Sequence, residues 1–176
     1  MTVVDAYGAL IEPATLKIER LLPGTIDRVW AYLTDGELRR RWLAAGDMEL
    51  RPGAPFEFVW RNDELSDPPG VRPAGFPEEM RMASHVVAVD PPHRLVISWG
   101  EREAGEVSFD LAPAGDGVLL TIVHRRLPDR GSLLNVGAGW HMHLDALVAR
   151  LSERRVPPFW DGWQRLKADY DRRLPA

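Results

Sequence analysis

The chain has no cysteine among its 176 residues. That excludes disulfides, thiolate metal ligands and a cysteine nucleophile. No apolar run approaches the ~20 residues needed to cross a bilayer. The N-terminus, Met1-Thr2-Val3-Val4-Asp5, lacks the basic and apolar segments of a secretory signal, so the cytoplasm is the expected compartment. Positive charge is not in excess: 22 Lys and Arg against 26 Asp and Glu leave a net charge of −4. That balance argues against nucleic acid or an anionic membrane as the main partner. The local runs Arg39-Arg40-Arg41 and Arg125-Arg126 are expected to be solvated ends of helices or strands. Motifs for several chemistries are missing too. There is no glycine-rich phosphate loop, and Ser84, Ser98 and Ser108 lack the flanking glycines of a nucleophile elbow. Nothing gathers His85, His93 or the other histidines at ligand spacing, so no metal and no cofactor are expected.

What the chain does have is strong periodicity and seven tryptophans. Residues 1–13 read as a partly ordered lead-in ending at Pro13. From Thr15 to Leu22 the sequence alternates, with Leu16, Ile18 and Arg20 on one face, and predicts a first strand. Thr25 is placed to cap a short helix carrying Ile26, Val29, Trp30 and Leu33, and Asp35 to cap a second with Leu38 and Trp42. A short strand is expected over Met48–Leu50. Then Phe56, Phe58 and Trp60 share one face of a strongly alternating segment, with Glu57 and Arg61 on the other. The Pro-rich, acidic stretch 62–79 reads as a long loop, of a length that is uncommon in compact domains and often functional. Four more strands are expected over 81–89, 95–99, 106–111 and 118–124, joined by short turns at Asp90-Pro91-Pro92 and Gly115-Asp116-Gly117. Consecutive strands with such turns imply an antiparallel meander.

The helix that follows, Gly139 to Leu151, places Trp140, His143, Leu144, Leu147, Val148 and Leu151 on one stripe. Arg150 lies off that stripe and is expected to face water. Pro157-Pro158 ends this helix, and Phe159 to Leu174 predicts another with Trp163, Leu166 and Tyr170 facing inward. The domain is therefore bounded at 14–156, with 157–176 as a helical extension of it. The fold class is α+β: a curved antiparallel sheet held against a long helix.

Several short segments carry a family likeness in their order and spacing. They are Val29-Trp30, Leu33-Thr34-Asp35, Arg41-Trp42, Val89-Asp90-Pro91-Pro92, Trp99, Thr121-Ile122-Val123-His124-Arg125, Gly139-Trp140 and Leu144-Asp145-Ala146-Leu147. Over residues 14 to 153 the chain resembles the SRPBCC (START/Bet v 1-like) superfamily. The branch is the one named after the activator of Hsp90 ATPase. The resemblance implies a helix-grip fold, with two short helices after the first strand and the sheet wrapped round the long C-terminal helix. It also implies a space between sheet and helix that takes apolar or aromatic small molecules. Three functional expectations follow from it: a ligand-binding protein, an enzyme of the polyketide cyclase or dehydratase type, or a chaperone-interaction module. The eukaryotic activators carry a separate N-terminal domain, and the 13 residues before this one are too few to form it, which weighs against Hsp90 stimulation. The segment after Pro158 is an addition to the minimal domain, expected to cover the sheet, lid the cavity or build a homodimer interface.

His143 is the polar residue placed on the sheet-facing stripe, three after Trp140 and four before Leu147. It is the first candidate for an acid, a base or a ligand hydrogen bond. His124, in line with Leu120 and Ile122, is the second. The candidate lining is Phe56, Phe58, Trp60, Trp99, Phe109, Ile122, His124, Trp140, His143, Leu144 and Leu147. Packing alone also explains such aromatics, at roughly 1.5–3 kcal/mol each. His141 lies about 160° round the helix from His143, which rules out a local chelate. With Asp145 it is expected to form a solvated pair.

Overall fold

A computed structural model describes residues 4–101 and 104–176. Seven strands form one antiparallel sheet in the order β1-β2-β7-β6-β5-β4-β3. They are β1 (Ala9–Glu12), β2 (Thr15–Pro23), β3 (Pro55–Trp60), β4 (Met80–Asp90), β5 (Arg94–Ser98), β6 (Glu106–Ala114) and β7 (Gly117–Arg125). After β2 come two short helices, α1 (Ile26–Thr34) and α2 (Gly36–Arg39). The long helix α3 spans Arg130–Leu151 and α4 spans Phe159–Arg173.

The register explains which side chains meet. Leu16 pairs with His124 and Ile18 with Ile122 across β2 and β7; Phe109 pairs with Ile122 across β6 and β7, and with Leu95 across β5 and β6. Directly opposed residues point to the same face. All six are 1% exposed or less, and this face is where α3 packs. At the other edge Phe58 pairs with Met82 and Trp60 with Met80. A register shift between Val86 and Ala88 separates this outer pair from the central strands. Such shifts bend a sheet and increase its local twist.

The helices begin where their caps place them. Thr25 Oγ1 accepts the Arg28 backbone N–H at 3.2 Å, and Asp35 Oδ1 accepts those of Glu37 and Leu38 at 2.9 and 3.3 Å. Helix α3 starts nine residues earlier than the apolar stripe predicts. Asp129 caps it, its Oδ1 accepting the Ser132 N–H at 2.7 Å. Gly131, Asn135, Gly137 and Gly139 weaken intrinsic helix propensity there, and packing against α4 overrides them. The two helices approach so closely that a Cβ on Gly162 would lie 2.5 Å from Met142 Sδ.

Three other expectations are corrected. The lead-in carries an extra edge strand, β1, hydrogen-bonded to β2. Residues 48–50 form no strand; the neighbouring pairing is a single bridge between Ala45 and Val59. Arg39 is not solvated: its exposure is 0%. Its guanidinium donates to the carbonyls of Leu33 (3.2 Å), Thr34 (3.3 Å) and Gly46, and stacks on Phe58 at 5.0 Å. Burial lowers its pKa to about 10, which leaves it charged at neutral pH and tied to the negative C-terminal end of α1. Arg150, off the apolar stripe and half-exposed as expected, also donates to the carbonyls of Arg41 (3.1 Å) and Leu65 (3.2 Å), joining α3 to the loops that precede and follow β3.

Candidate functional site

A cavity of about 420 Å³ lies between the β3–β4 edge of the sheet, the middle of α3 and the start of α4. That is within the ~300–1,000 Å³ of typical small-molecule sites. Five of the seven tryptophans line it: Trp60, Trp99, Trp140, Trp160 and Trp163. Their rings hold one another edge-on or tilted, with centroids 5.6 Å apart for Trp60–Trp99, 5.5 Å for Trp99–Trp140 and 5.8 Å for Trp160–Trp163. Phe76 bridges to α4, 5.3 Å from Trp160 and 5.1 Å from Trp163. Leu43, Met80, Met82, Val136 and Phe159 complete the apolar wall.

The loop 62–79 is part of this wall because α4 holds it. The Trp160 backbone N–H donates to Pro69 O (2.9 Å), and its indole N–H to Asp63 Oδ1 (2.6 Å). Ser66 Oγ accepts the Phe159 N–H at 2.9 Å, and Asp161 Oδ1 accepts that of Val71 at 3.1 Å. Gln164 returns a bond to Val71 O at 2.7 Å. The loop therefore owes its shape to a helix about ninety residues further on.

The polar residues at the wall are Asn62, Arg81, Asn135 and His143. The carboxamide oxygens of Asn62 and Asn135 are buried and have no hydrogen-bond partner. A buried acceptor left unpaired costs about 1–3 kcal/mol, so each of these oxygens stands ready for a donor from a bound molecule. His143 is 6% exposed, packs tilted against Phe159 with centroids 4.9 Å apart, and has Nδ1 2.8 Å from Trp42 O. Burial lowers its pKa to about 4, against a smaller opposing effect of the Trp42 hydrogen bond. The imidazole is neutral at pH 7.

Of the candidate lining residues, the structure brings Trp60, Trp99, Trp140 and His143 together at the cavity. Phe56, Phe58, Phe109, Ile122, Leu144 and Leu147 do not border it and are packed in the core. His124 is 1% exposed behind two indoles, 4.8 Å from the Trp99 ring, with Nδ1 accepting the Trp140 N–H at 3.1 Å. Burial takes its pKa down to about 3. His141 and Asp145 do meet, Nε2 lying 3.8 Å from Oδ2, but the histidine is buried rather than solvated. His141 is 5% exposed, its Nδ1 is 3.0 Å from Tyr170 Oη, and Asp145 is bound by Arg20 at 3.1 Å. The residues that sequence reasoning missed are chiefly Asn62, Phe76, Asn135, Val136, Trp160 and Trp163. One signal was available: stepping back from His143 by four and by eight gives Gly139 and Asn135, on the same helical face. For the loop there was none.

Among the described residues, no group of three His, Asp or Glu is placed to hold a metal, and no helix is long and apolar enough to cross a membrane. The sheet gripping a long helix, with an aromatic hollow between them, defines the helix-grip class of the SRPBCC superfamily. Within it, residues 23–152 match the model of the family described as activator of Hsp90 ATPase homolog 1-like protein, and the chain belongs to that family. No curated protein matches the chain in sequence. Solved structures do. A protein from Bordetella parapertussis, known from solution NMR, is 36% identical over 98% of this chain and 93% of its own, with a TM-score of 0.79. CalU16 from Micromonospora echinospora is 26% identical over 94% and 93%, with a TM-score of 0.63. DynU16, from the dynemicin biosynthetic locus, is 16% identical over 82% of this chain and 49% of its own, with a TM-score of 0.65, which shows a shared fold. At 98% coverage, the Bordetella alignment takes in α4 as well as the family core.

Proposed function

We propose that this protein binds a small, largely apolar aromatic molecule in the cavity between β3–β4, α3 and α4. The observation that carries the reading is the concentration of five indoles on one hollow, with four polar residues among them. Aromatic walls supply large contact areas, and a few placed polar groups fix orientation. Saturable quenching of tryptophan fluorescence by two- and three-ring aromatics is the expected result. A Val136→Phe variant, which fills the hollow from the α3 side, is expected to abolish it while the fold persists by circular dichroism. Quenching that survives Val136→Phe unchanged, or none from any member of the panel, would overturn the proposal.

A second reading, turnover of the bound molecule, is favoured by one observation. His143 is held neutral at the cavity wall, as a general base must be. It predicts that His143→Ala lowers turnover of an identified substrate at least a hundredfold; unchanged turnover removes the residue from the chemistry.

A further inference from the structure

The ligand's chemistry can be narrowed further, and this step rests on the cavity reading above. His143 Nδ1 lies 2.8 Å from the carbonyl oxygen of Trp42. A carbonyl only accepts, so Nδ1 carries the ring proton and Nε2 carries a lone pair. The ring belongs to the cavity wall, and with Nδ1 engaged, Nε2 is the polar atom it has left to offer there. His124 is the opposite case. Its Nδ1 accepts from Trp140, so its proton is on Nε2, and the ring does not border the cavity. The wall thus presents an acceptor that a ligand must satisfy or leave dry.

Charge supplies the second constraint. Among the described residues at the wall, Arg81 is the one cation, and it is already paired: Nη1 lies 2.8 Å from Glu57 and Nε 2.9 Å from Glu79. A carboxylate entering the hollow would lose its water, find no free cation, and face the Nε2 lone pair. A hydrocarbon would bind but leave Nε2 unpaired. We infer that the site is built for a neutral aromatic hydroxyl, a phenol or enol, which donates its O–H to His143 Nε2, and that it rejects the corresponding carboxylates. Asn135, two helical turns before His143, offers its unpaired carboxamide on the same side for a second polar group.

Three matched probes test this at pH 7.5: biphenyl, 4-hydroxybiphenyl and biphenyl-4-carboxylate, titrated by calorimetry and tryptophan quenching. The phenol is expected to bind about tenfold tighter than the hydrocarbon, as one well-placed hydrogen bond allows, and the carboxylate weakest of the three. In His143→Asn the shorter amide keeps a donor near Trp42 O and has no Nε2. The preference of phenol over hydrocarbon, read as the ratio of the two affinities within that variant, is expected to vanish there. If none of the three binds the native protein, the cavity reading itself falls. If biphenyl binds as tightly as the phenol, or the carboxylate binds tightest, the hydroxyl inference falls and the cavity reading stands. A phenol preference that persists in His143→Asn also overturns the inference.

Discussion

Helix α3 carries two buried histidines two residues apart, and the protein treats them in opposite ways. On the face of His141, polar atoms are matched with partners. Tyr170 Oη accepts the Gly8 N–H at 2.8 Å and lies 3.0 Å from His141 Nδ1. Arg20 binds Asp145 at 3.1 Å and the backbone oxygen of Ala6 at 2.6 Å. On the face of His143, one ring nitrogen is fixed and the other is left over, beside two unpaired carboxamide oxygens. Burial and lowered basicity are alike at the two sites, so neither identifies a functional residue. The difference lies in whether the hydrogen-bonding capacity is used up.

Acid should affect both faces, with the largest effect. His124, His141 and His143 have folded pKa values of about 3, 4 and 4, against ~6.5 in an unfolded chain. The unfolded state therefore takes up more protons as pH falls. The stability these neutral rings hold is complete above about pH 6.5 and is lost down to about pH 4, on the order of 3 kcal/mol per ring. Urea midpoints should fall steeply between pH 7 and pH 5; a flat profile would show that the rings charge without unfolding. Breaking the matched face comes next. Arg20→Ala removes the partner of Asp145, and a loss of about 2–3 kcal/mol is expected, below the ~3–5 of a fully buried pair because Asp145 is partly open to water. Tyr170→Phe removes one hydroxyl and strands two buried groups, for about 1–2 kcal/mol by the same urea assay. The smallest change is expected on the other face. His143→Asn should cost under ~1 kcal/mol, because the amide takes over the Trp42 hydrogen bond and what is lost is the ring's packing on Phe159. If it costs as much as Tyr170→Phe, the contrast between the two faces is wrong.

Much of the architecture was legible because alternation and caps are local. Leu16, Ile18 and Arg20 on one strand face, the Thr25 and Asp35 caps, and the α4 stripe all follow from neighbours within a few residues. The site was half legible. Trp60, Trp99, Trp140 and His143 stand on periodic elements, so their direction could be read. What separated them from Phe58 or Phe109 was not their own sequence but where α4 and the 62–79 loop come to rest. His141 and Asp145 were misread for the same reason. Four apart on a helix, they look like a surface pair, while the partners that bury them, Arg20 and Tyr170, lie on β2 and α4. Arg39 reads as one charge in a basic run until the carbonyls of Leu33, Thr34 and Gly46 are seen around it.

The position of α4 makes the aromatic hollow depend on the end of the chain. Trp160 and Trp163 complete a wall whose other indoles, Trp60, Trp99 and Trp140, were all synthesised before them. Without α4, this side of the aromatic hollow would be open to water. The indoles of Trp60, Trp99 and Trp140 thus keep their covering wall only as long as α4 stays docked. Loosening that last helix would therefore uncover apolar surface before it disturbed the sheet.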